Sequence, residues 1–500
     1  MLLPDFDKFK ILAEKGNIIP LYKELIADME TPLGIYARFS NLPHSFLLES
    51  VEGGEKLARY SFIGFNPREV FSSKEDEVTI FSNGKTEKFI AEKSPVDELK
   101  KRMGKYKAIN VDGLPRFSGG AVGYFSYDTV RFFEDIPQGN PDDLNVPELN
   151  FMLTKSLVVF DHVKHRIIVI ANTFCDGRPL DEIYGEAEKE IDDIINEISK
   201  PLPFKPVEQI NSESLAAIDH KTPPSNYSPE EFRDIVERCK EYIRAGDIIQ
   251  VVPSQRFEFP TDVDSFSLYR ALRCINPSPY MFLLNFGDMA LVGSSPEIMV
   301  TLENGQVELR PIAGTRRRGT TEQEDIAFEK ELLADEKERA EHTMLVDLGR
   351  NDVGRVCEFN TVNVPELMVI ERYSHVMHIV SDVQGNILPD KDAFDLLAAT
   401  FPAGTVSGAP KIRAMEIIDE MEKCRRGPYA GTVCYLGYDG NLDSCITIRT
   451  ILLKDKKAYV QAGGGIVADS IPELEYKETV NKARAMIKAI HLAERLGFDV

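Results

Sequence analysis

Apolar residues recur along this chain with two different periods. Before Lys200, the runs HSFLLESVE, RYSFIGFNP, EVTIFSNG, GGAVGYFSYD and LVVFDHVKHRIIVIAN are rich in β-branched and aromatic residues and are bounded by turn formers, which predicts strands. LDEIYGEAEKEIDDIINEISK changes to helical spacing and predicts an acidic helix closing this region. From Lys200 to Ser228 the chain is rich in Pro and polar residues and has no amphipathic period, as expected of a linker or a long surface crossing. The pattern resumes with SPEEFRDIVERCKEYIRAGD. Here Ser228 is the expected N-cap, Pro229 presets the first helical φ, and Glu231 completes a capping box.

Further on, DIIQVVPSQRFEF, PYMFLLNFG, MALVGSSPEIMV, QVELRPIAGT, TVCYLGY, CITIRTILL and KAYVQAGGGIVA read as strands. QEDIAFEKELLADEKERAEHTMLVDLGRND, KDAFDLLAATF, PKIRAMEIIDEME and PELEYKETVNKARAMIKAIHLAERLG read as helices. Hairpins followed by helices, without a strict βαβ rhythm, predict an α+β fold rather than a doubly wound sheet. The punctuation divides the chain into 1–200, a linker over 201–227, and 228–500.

Composition narrows the function classes. With 43% hydrophobic and 28% charged residues over 500 positions, the chain has material for a large core. A net charge of -22 argues against nucleic acid or an anionic membrane as partner, and is compatible with divalent cations. The seven cysteines (Cys175, Cys239, Cys274, Cys357, Cys424, Cys434 and Cys445) form no C-x-x-C, so neither a disulfide framework nor a zinc motif is expected, and a reducing, cytoplasmic setting is. The N-terminus has no signal-peptide pattern, and no apolar run is long enough to span a bilayer. Trp is absent.

The acidic helix predicted around EKELLADEKERAEHTML carries Ile326, Phe328, Leu332, Leu333, Ala340, Met344, Leu345 and Leu348 as its apolar positions. Glu338 and Glu341 are three apart and share a face; Asp335 and Glu336 flank basic residues and read as surface pairing. Alone, the glutamate pair reads as solvated charge. A second pair, Glu475 and Glu478, changes the weighting. It follows a strand, a glycine turn (Gly463, Gly464, Gly465) and a helix start with Ser470 as expected N-cap. Two helices that each present E-x-x-E can supply a hard, oxygen-only site. Carboxylates that close repel unless a cation intervenes, and such ligands with water suit Mg²⁺. The glycine turn lets bare N–H groups approach a small anion, or is simply a tight strand-to-helix turn. FPAGTVSGAPKIRAM is a second such junction, with Thr405, Ser407 and Gly408 as potential donors.

Taken in order, SSPEIMV, PIAGTRRRG, EHTMLVDLGRND, FPAGTVSGAPK, CITIR and QAGGGIVADS resemble the chorismate-utilising enzymes, from about Ser228 to the C-terminus. LLES and NPSPYM resemble the anthranilate-forming branch of that family. The resemblance implies a composite α+β fold of antiparallel sheets in a sandwich-like core flanked by helices, with an N-terminal domain on a larger chorismate-binding domain. It implies that Mg²⁺ bridges the ring carboxylate of chorismate to Glu341 and Glu478, with Glu338 and Glu475 as direct or water-mediated neighbours. Glu297 matches the family's acid near the C4 hydroxyl, a task open to a carboxyl whose pKa burial and nearby anions raise. Ammonia then adds at C2, giving an aminodeoxyisochorismate, and loss of pyruvate gives anthranilate. His378 matches the histidine of this second step. His375 lies three residues before it, but two histidines make an incomplete zinc set. Arg449 and Tyr429 match residues holding the pyruvyl carboxylate. Gly314, Thr315, Thr405, Ala462, Gly463, Gly465 and Lys482 match the remaining substrate shell.

Two positions select a branch. Water-adding relatives carry a presumed Lys base in PSK, where this chain has Gln255 in PSQ. Aminodeoxychorismate synthases with a covalent Lys read PIKGT, where this chain has Ala313. Neutral ammonia is nucleophilic without a base. No amidotransferase motif is evident, so the resemblance implies a separate glutamine amidotransferase subunit. It also implies an allosteric tryptophan pocket from Leu48, Glu49, Ser50, Asn276, Pro279, Tyr280, Met281 and Cys445, with strand packing and a double-proline turn as the plainer reading. The alternatives are an aminodeoxychorismate synthase and a non-catalytic amino-acid-sensing subunit. The second would need a damaged site, yet Glu297, Glu341, His378, Arg449 and Glu478 are all in place.

Overall fold

In a computed structural model, residues 1–50, 59–137, 139–203, 222–373 and 376–496 are described. Two large antiparallel sheets dominate. The first has ten strands in the order Ile18–Ile26, Arg166–Phe174, Ser156–Asp161, Tyr60–Phe65, Ser45–Glu49, Tyr280–Asn285, Met289–Ser295, Thr450–Lys454, Lys457–Gly463 and Ser254–Pro260. The second runs Ile312–Arg317, Val376–Asn386, Gln306–Leu309, Ile298–Glu303, Leu442–Ile446, Thr432–Gly437, Gly120–Phe125, Leu149–Leu153, Glu69–Lys74, Glu77–Ser82 and Lys85–Ile90, with Asn363–Arg372 also paired to Val376–Asn386.

The sheets face each other across Phe46, Phe62, Val122, Tyr124, Phe282 and Val433. Helices cover the outer faces: Leu180–Ile198, Ser265–Ile275 and Pro472–Leu496 lie on the first sheet, and Pro95–Met103, Glu336–Gly354, Ala393–Thr400 and Lys411–Met421 on the second. Arg166–Phe174 explains why many strands lack a polar phase. Its Ile167, Val169 and Ala171 face the helices, while Ile168 and Ile170 face the opposite sheet. A stretch covered on both faces, such as Ile167 to Ala171, is apolar at every position, and each of its Ile and Val side chains contributes about 1.5–3 kcal/mol. The α+β class and the sandwich-like core are what the pattern and the resemblance led us to expect.

The sheets cross the predicted division of the chain. Ser45–Glu49 pairs with Tyr280–Asn285, and Gly120–Phe125 pairs with Thr432–Gly437. Strands from 1–200 and from 228–500 therefore share both sheets. Most of the expected linker, 204–221, lies outside the described residues. Directly after it the capping box at Ser228 forms as expected, with Ser228 and Glu231 exchanging hydrogen bonds.

Several boundaries differ from expectation, each for a local reason. The strand runs through VVPSQ, SSPEI and LRPIA break at Pro253, Pro296 and Pro311, which cannot donate to a ladder. CITIRTILL breaks before Thr450, where Arg449 adopts φ 51°. The long acidic helix is two helices, Glu322–Ala334 and Glu336–Gly354. Asp335 divides them: its backbone is extended and its carboxylate accepts from the N–H groups of Lys337 and Glu338, so it caps the second helix as well as pairing with Arg316 at 2.8 Å. Ser470 is not the N-cap of the last helix, which starts at Pro472. Its hydroxyl accepts instead from the Val467 N–H at 3.1 Å.

Candidate active site

A cavity of about 680 Å³ opens where the end of the Lys457–Gly463 strand meets the helices Glu336–Gly354 and Pro472–Leu496. Glu338 and Glu341 enter from the first helix, Glu475 and Glu478 from the last, so the two E-x-x-E pairs line one chamber. Each carboxylate already has a donor. Arg316 Nη1 reaches Glu338 at 3.1 Å, Gln250 Nε2 reaches Glu341 at 2.8 Å, and Lys482 Nζ reaches Glu478 at 2.7 Å. Glu475 accepts from Ser470; burial raises its carboxyl above the ordinary range, and the charge of Glu478 adds to the rise. Among the described residues, no three His, Cys, Asp or Glu side chains converge closely enough to hold an ion alone. The donor set is thus all oxygen and split between two walls. It fits a cation that takes one or two carboxylates and fills its other positions with water and ligand oxygens.

Glu297 lines the same chamber, just past Pro296 in the break between two strands. Thr405 Oγ1 donates to it at 2.9 Å. Burial raises its carboxyl above its usual value, against the pull of the Thr405 hydrogen bond and of Lys482 and Arg449. Arg449 extends from its left-handed backbone and donates to the Lys482 carbonyl at 2.7 Å. A left-handed non-glycine residue beside a cavity is stored strain of about 1–3 kcal/mol. Lys482 Nζ donates to the Gly463 carbonyl at 3.1 Å, and burial pushes the Tyr429 phenol up to about 12. Arg449, Lys482 and Tyr429 add a donor-rich group to the glutamates of the chamber, and the Lys482–Glu478 pair joins the two.

His378 Nδ1 lies 3.1 Å from the Gly314 carbonyl and 3.0 Å from Thr315 Oγ1. A carbonyl only accepts, so Nδ1 carries the hydrogen and Nε2 is left as a bare acceptor. Burial lowers the imidazole below its ordinary value and favours this neutral form. Gly314 has φ 70°, and a Cβ there would meet Glu338 Oε2 at 3.2 Å. Gly463 is equally confined, since a Cβ would come within 2.8 Å of Tyr429 Oη.

All residues expected to be catalytic, substrate-binding or metal-binding line this chamber: Glu297, His378 and Thr405; Gly314, Thr315, Tyr429, Arg449, Ala462, Gly463, Gly465 and Lys482; and the four glutamates. Ala313 lines it too. Gln255 is buried behind the wall, its amide donating to Thr479 Oγ1 at 2.6 Å. His375 lies outside the described residues. Sequence reading missed Gln250, which faces Gly465 so closely that a Cβ there would sit 2.7 Å from its Nε2. It also missed Arg426, fully buried, which binds Glu422 at 2.6 Å and the carbonyls of Val406 and Val252 at 2.8 and 2.6 Å. Its guanidinium lies 5.6 Å from the Tyr429 ring centre. The i,i+4 spacing of Glu422 and Arg426 was the available signal, and it is also that of any surface pair.

A second, smaller cavity of about 60 Å³ lies between the sheets. Leu48, Glu49, Ser50, Pro279, Tyr280, Met281 and Cys445 line it, together with Arg116 and Asp443. Glu49 accepts from Tyr269 at 2.6 Å and Arg273 at 3.2 Å; Asp443 accepts from Tyr280 at 2.8 Å. Asn276, grouped with these from sequence, lines the large chamber instead, and Pro279 lines both. Valine 251, which precedes the chamber wall, pairs with Gly408.

The chain is similar to known proteins over nearly its whole length. The family described as chorismate binding enzyme matches residues 43–488. Anthranilate synthase component 1 of Acetivibrio thermocellus is 53% identical over 493 residues, covering 99% of each chain. That of Aquifex aeolicus is 48% identical, covering 98% of each. The crystal structure of anthranilate synthase component I from Streptococcus pneumoniae superposes with a TM-score of 0.74 at 38% identity, over 93% of this chain and 99% of that one. The chamber, the order of its motifs and these likenesses agree: the chain belongs to the chorismate-binding enzyme family.

Proposed function

We propose that this enzyme converts chorismate and ammonia to anthranilate and pyruvate, the first step of tryptophan biosynthesis. The observation that carries the reading is one chamber lined both by four glutamates and by the donors Arg449, Lys482 and Tyr429. A planar diacid with a leaving hydroxyl needs both kinds of group. Glu338, Glu341, Glu475 and Glu478 would hold Mg²⁺, which supplies charge neutralisation for the ring carboxylate as the hydroxyl leaves. Glu297 donates the proton that goes out with that oxygen as water; its raised carboxyl keeps the proton available, and Thr405 fixes its orientation. Arg449 and Tyr429 bind the pyruvyl carboxylate. In the second step His378 Nε2, bare because Nδ1 is committed to Gly314, takes the ring proton as pyruvate departs from the aminodeoxyisochorismate intermediate.

Ammonia reaches the chain from a separate glutamine amidotransferase, the component II that the name component 1 implies for the relatives. We assign tryptophan inhibition to the smaller cavity. The link to the chamber is short: Cys445 lines the small cavity, and the N–H of its neighbour Ile446 donates to the Glu297 carbonyl at 3.0 Å. A cytoplasmic setting belongs to the same reading; among the described residues no helix is long and apolar enough to cross a membrane.

The test is purified chain with chorismate, Mg²⁺ and ammonium at raised pH, followed by anthranilate fluorescence and pyruvate release. Absence of both overturns the reading. A non-aromatic aminodeoxychorismate product would identify an aminodeoxychorismate synthase instead, and Ala313 in the chamber wall, with no amine to offer, is the residue that speaks against it.

A further inference from the structure

Behind the wall carrying Tyr429 lies a void of about 20 Å³, room for one water-sized molecule. Tyr429 and Gln461 line both this void and the chamber. Two buried atoms here have no hydrogen-bond partner, Gln461 Oε1 and Thr447 Oγ1. Gln461 is 9% exposed and Thr447 fully buried. Orphaned buried acceptors are costly, and native proteins give them an occupant.

The direction of the Gln461 amide is fixed by a relay. Arg426 grips Glu422 through both carboxylate oxygens, at 2.6 and 3.0 Å. Glu422 therefore only accepts. Ser254 spends its single hydroxyl hydrogen on Glu422 at 2.8 Å, so toward Gln461 it also accepts. The group 2.8 Å from Ser254 Oγ must then be the Gln461 nitrogen, and the carbonyl oxygen faces away, unpaired. Were the amide turned over, two acceptors would oppose each other.

We propose that Gln461 Oε1 is the acceptor that receives and orients the ammonia nucleophile, with Arg426, Glu422 and Ser254 as positioning residues. The inference rests on the reaction proposed above. Ammonia has three N–H groups and one lone pair. Donating one hydrogen to Gln461 Oε1 and another to Thr447 Oγ1 leaves the lone pair free to point into the chamber. The nitrogen bonds to C2 as the C4–O bond breaks. The proton from Glu297 leaves with that oxygen as water, and the new ammonium group returns one proton to the Glu297 carboxylate, so atoms and charge balance.

The experiment compares wild-type chain with Gln461→Met and Ser254→Ala, varying ammonium and chorismate independently at fixed pH, with melting temperature recorded for each. Methionine keeps the volume and removes the acceptor; alanine at Ser254 releases the amide to turn. The expected result is an ammonium KM raised about tenfold in Gln461→Met, as for one lost hydrogen bond. Ser254→Ala moves it in the same direction, and the chorismate KM stays within about twofold in both. An unchanged ammonium KM, or equal changes in both KM values, overturns the proposal and leaves the void to an ordinary buried water. Ser254→Ala decides alone if Gln461→Met fails to fold. A wild-type chain that makes no anthranilate overturns the reaction itself, which separates the two failures.

Discussion

Glu297 has a raised carboxyl and two cations that hold it down. Catalysis by its protonated form is present at low pH and is lost as pH rises through that raised value. Removing a positive neighbour raises the value further, so Lys482→Met shifts the alkaline limb of kcat to higher pH, besides weakening chorismate binding; a pH–rate profile reads this. Glu297→Gln keeps the shape and loses the proton, and kcat falls by about 10²–10⁴ with little change in chorismate KM. Glu341→Gln or Glu478→Gln abolishes turnover; activity surviving with normal Mg²⁺ dependence refutes the assignment of the metal. At this scale Glu297 was legible only through the resemblance that SSPEIMV carries, since an acid at a strand end has no distinguishing pattern by itself. The sequence was silent for Gln250 and Gln461, because a neutral amide in a strand carries no pattern. Only the partners supplied by other elements, Glu341 and Ser254, reveal what these amides do.

The helix break at Asp335 shows how an element places its residues. The cap starts the second helix where Glu338 falls in its first turn, and Arg316 binds both Asp335 at 2.8 Å and Glu338. Asp335→Ala costs about 1 kcal/mol in denaturant unfolding and loosens Glu338, so more Mg²⁺ is needed for half-maximal rate. The spacing of apolar positions could not expose this break, since an aspartate followed by glutamate and lysine also suits a helix exterior. Prolines 253, 296 and 311 are legible in hindsight. Each cuts a run that β-propensity joins, and each cut sits beside the chamber. Arg426→Met strands Glu422 in the interior. We expect a loss of about 3–5 kcal/mol by chemical denaturation, part of it recovered when Glu422→Gln is added.

Over the whole molecule, strand identity was legible and strand order was not. Apolar phase tells a strand which faces are covered, whereas its neighbour is set by long-range packing. Thus nothing in HSFLLES announces that it lies against YMFLLN, more than two hundred positions away. The consequence is testable. The fragment 228–500 would expose the partner edges of Tyr280–Asn285 and Thr432–Gly437, and we expect it to be insoluble or protease-sensitive by itself. Coexpression with 1–200 should restore a folded complex, seen by gel filtration and limited proteolysis. The same scale gives Pro279 its interest. One rigid ring is a partition wall with a chamber on either side. Any displacement of that ring that widens one room narrows the other, with no moving domain between them.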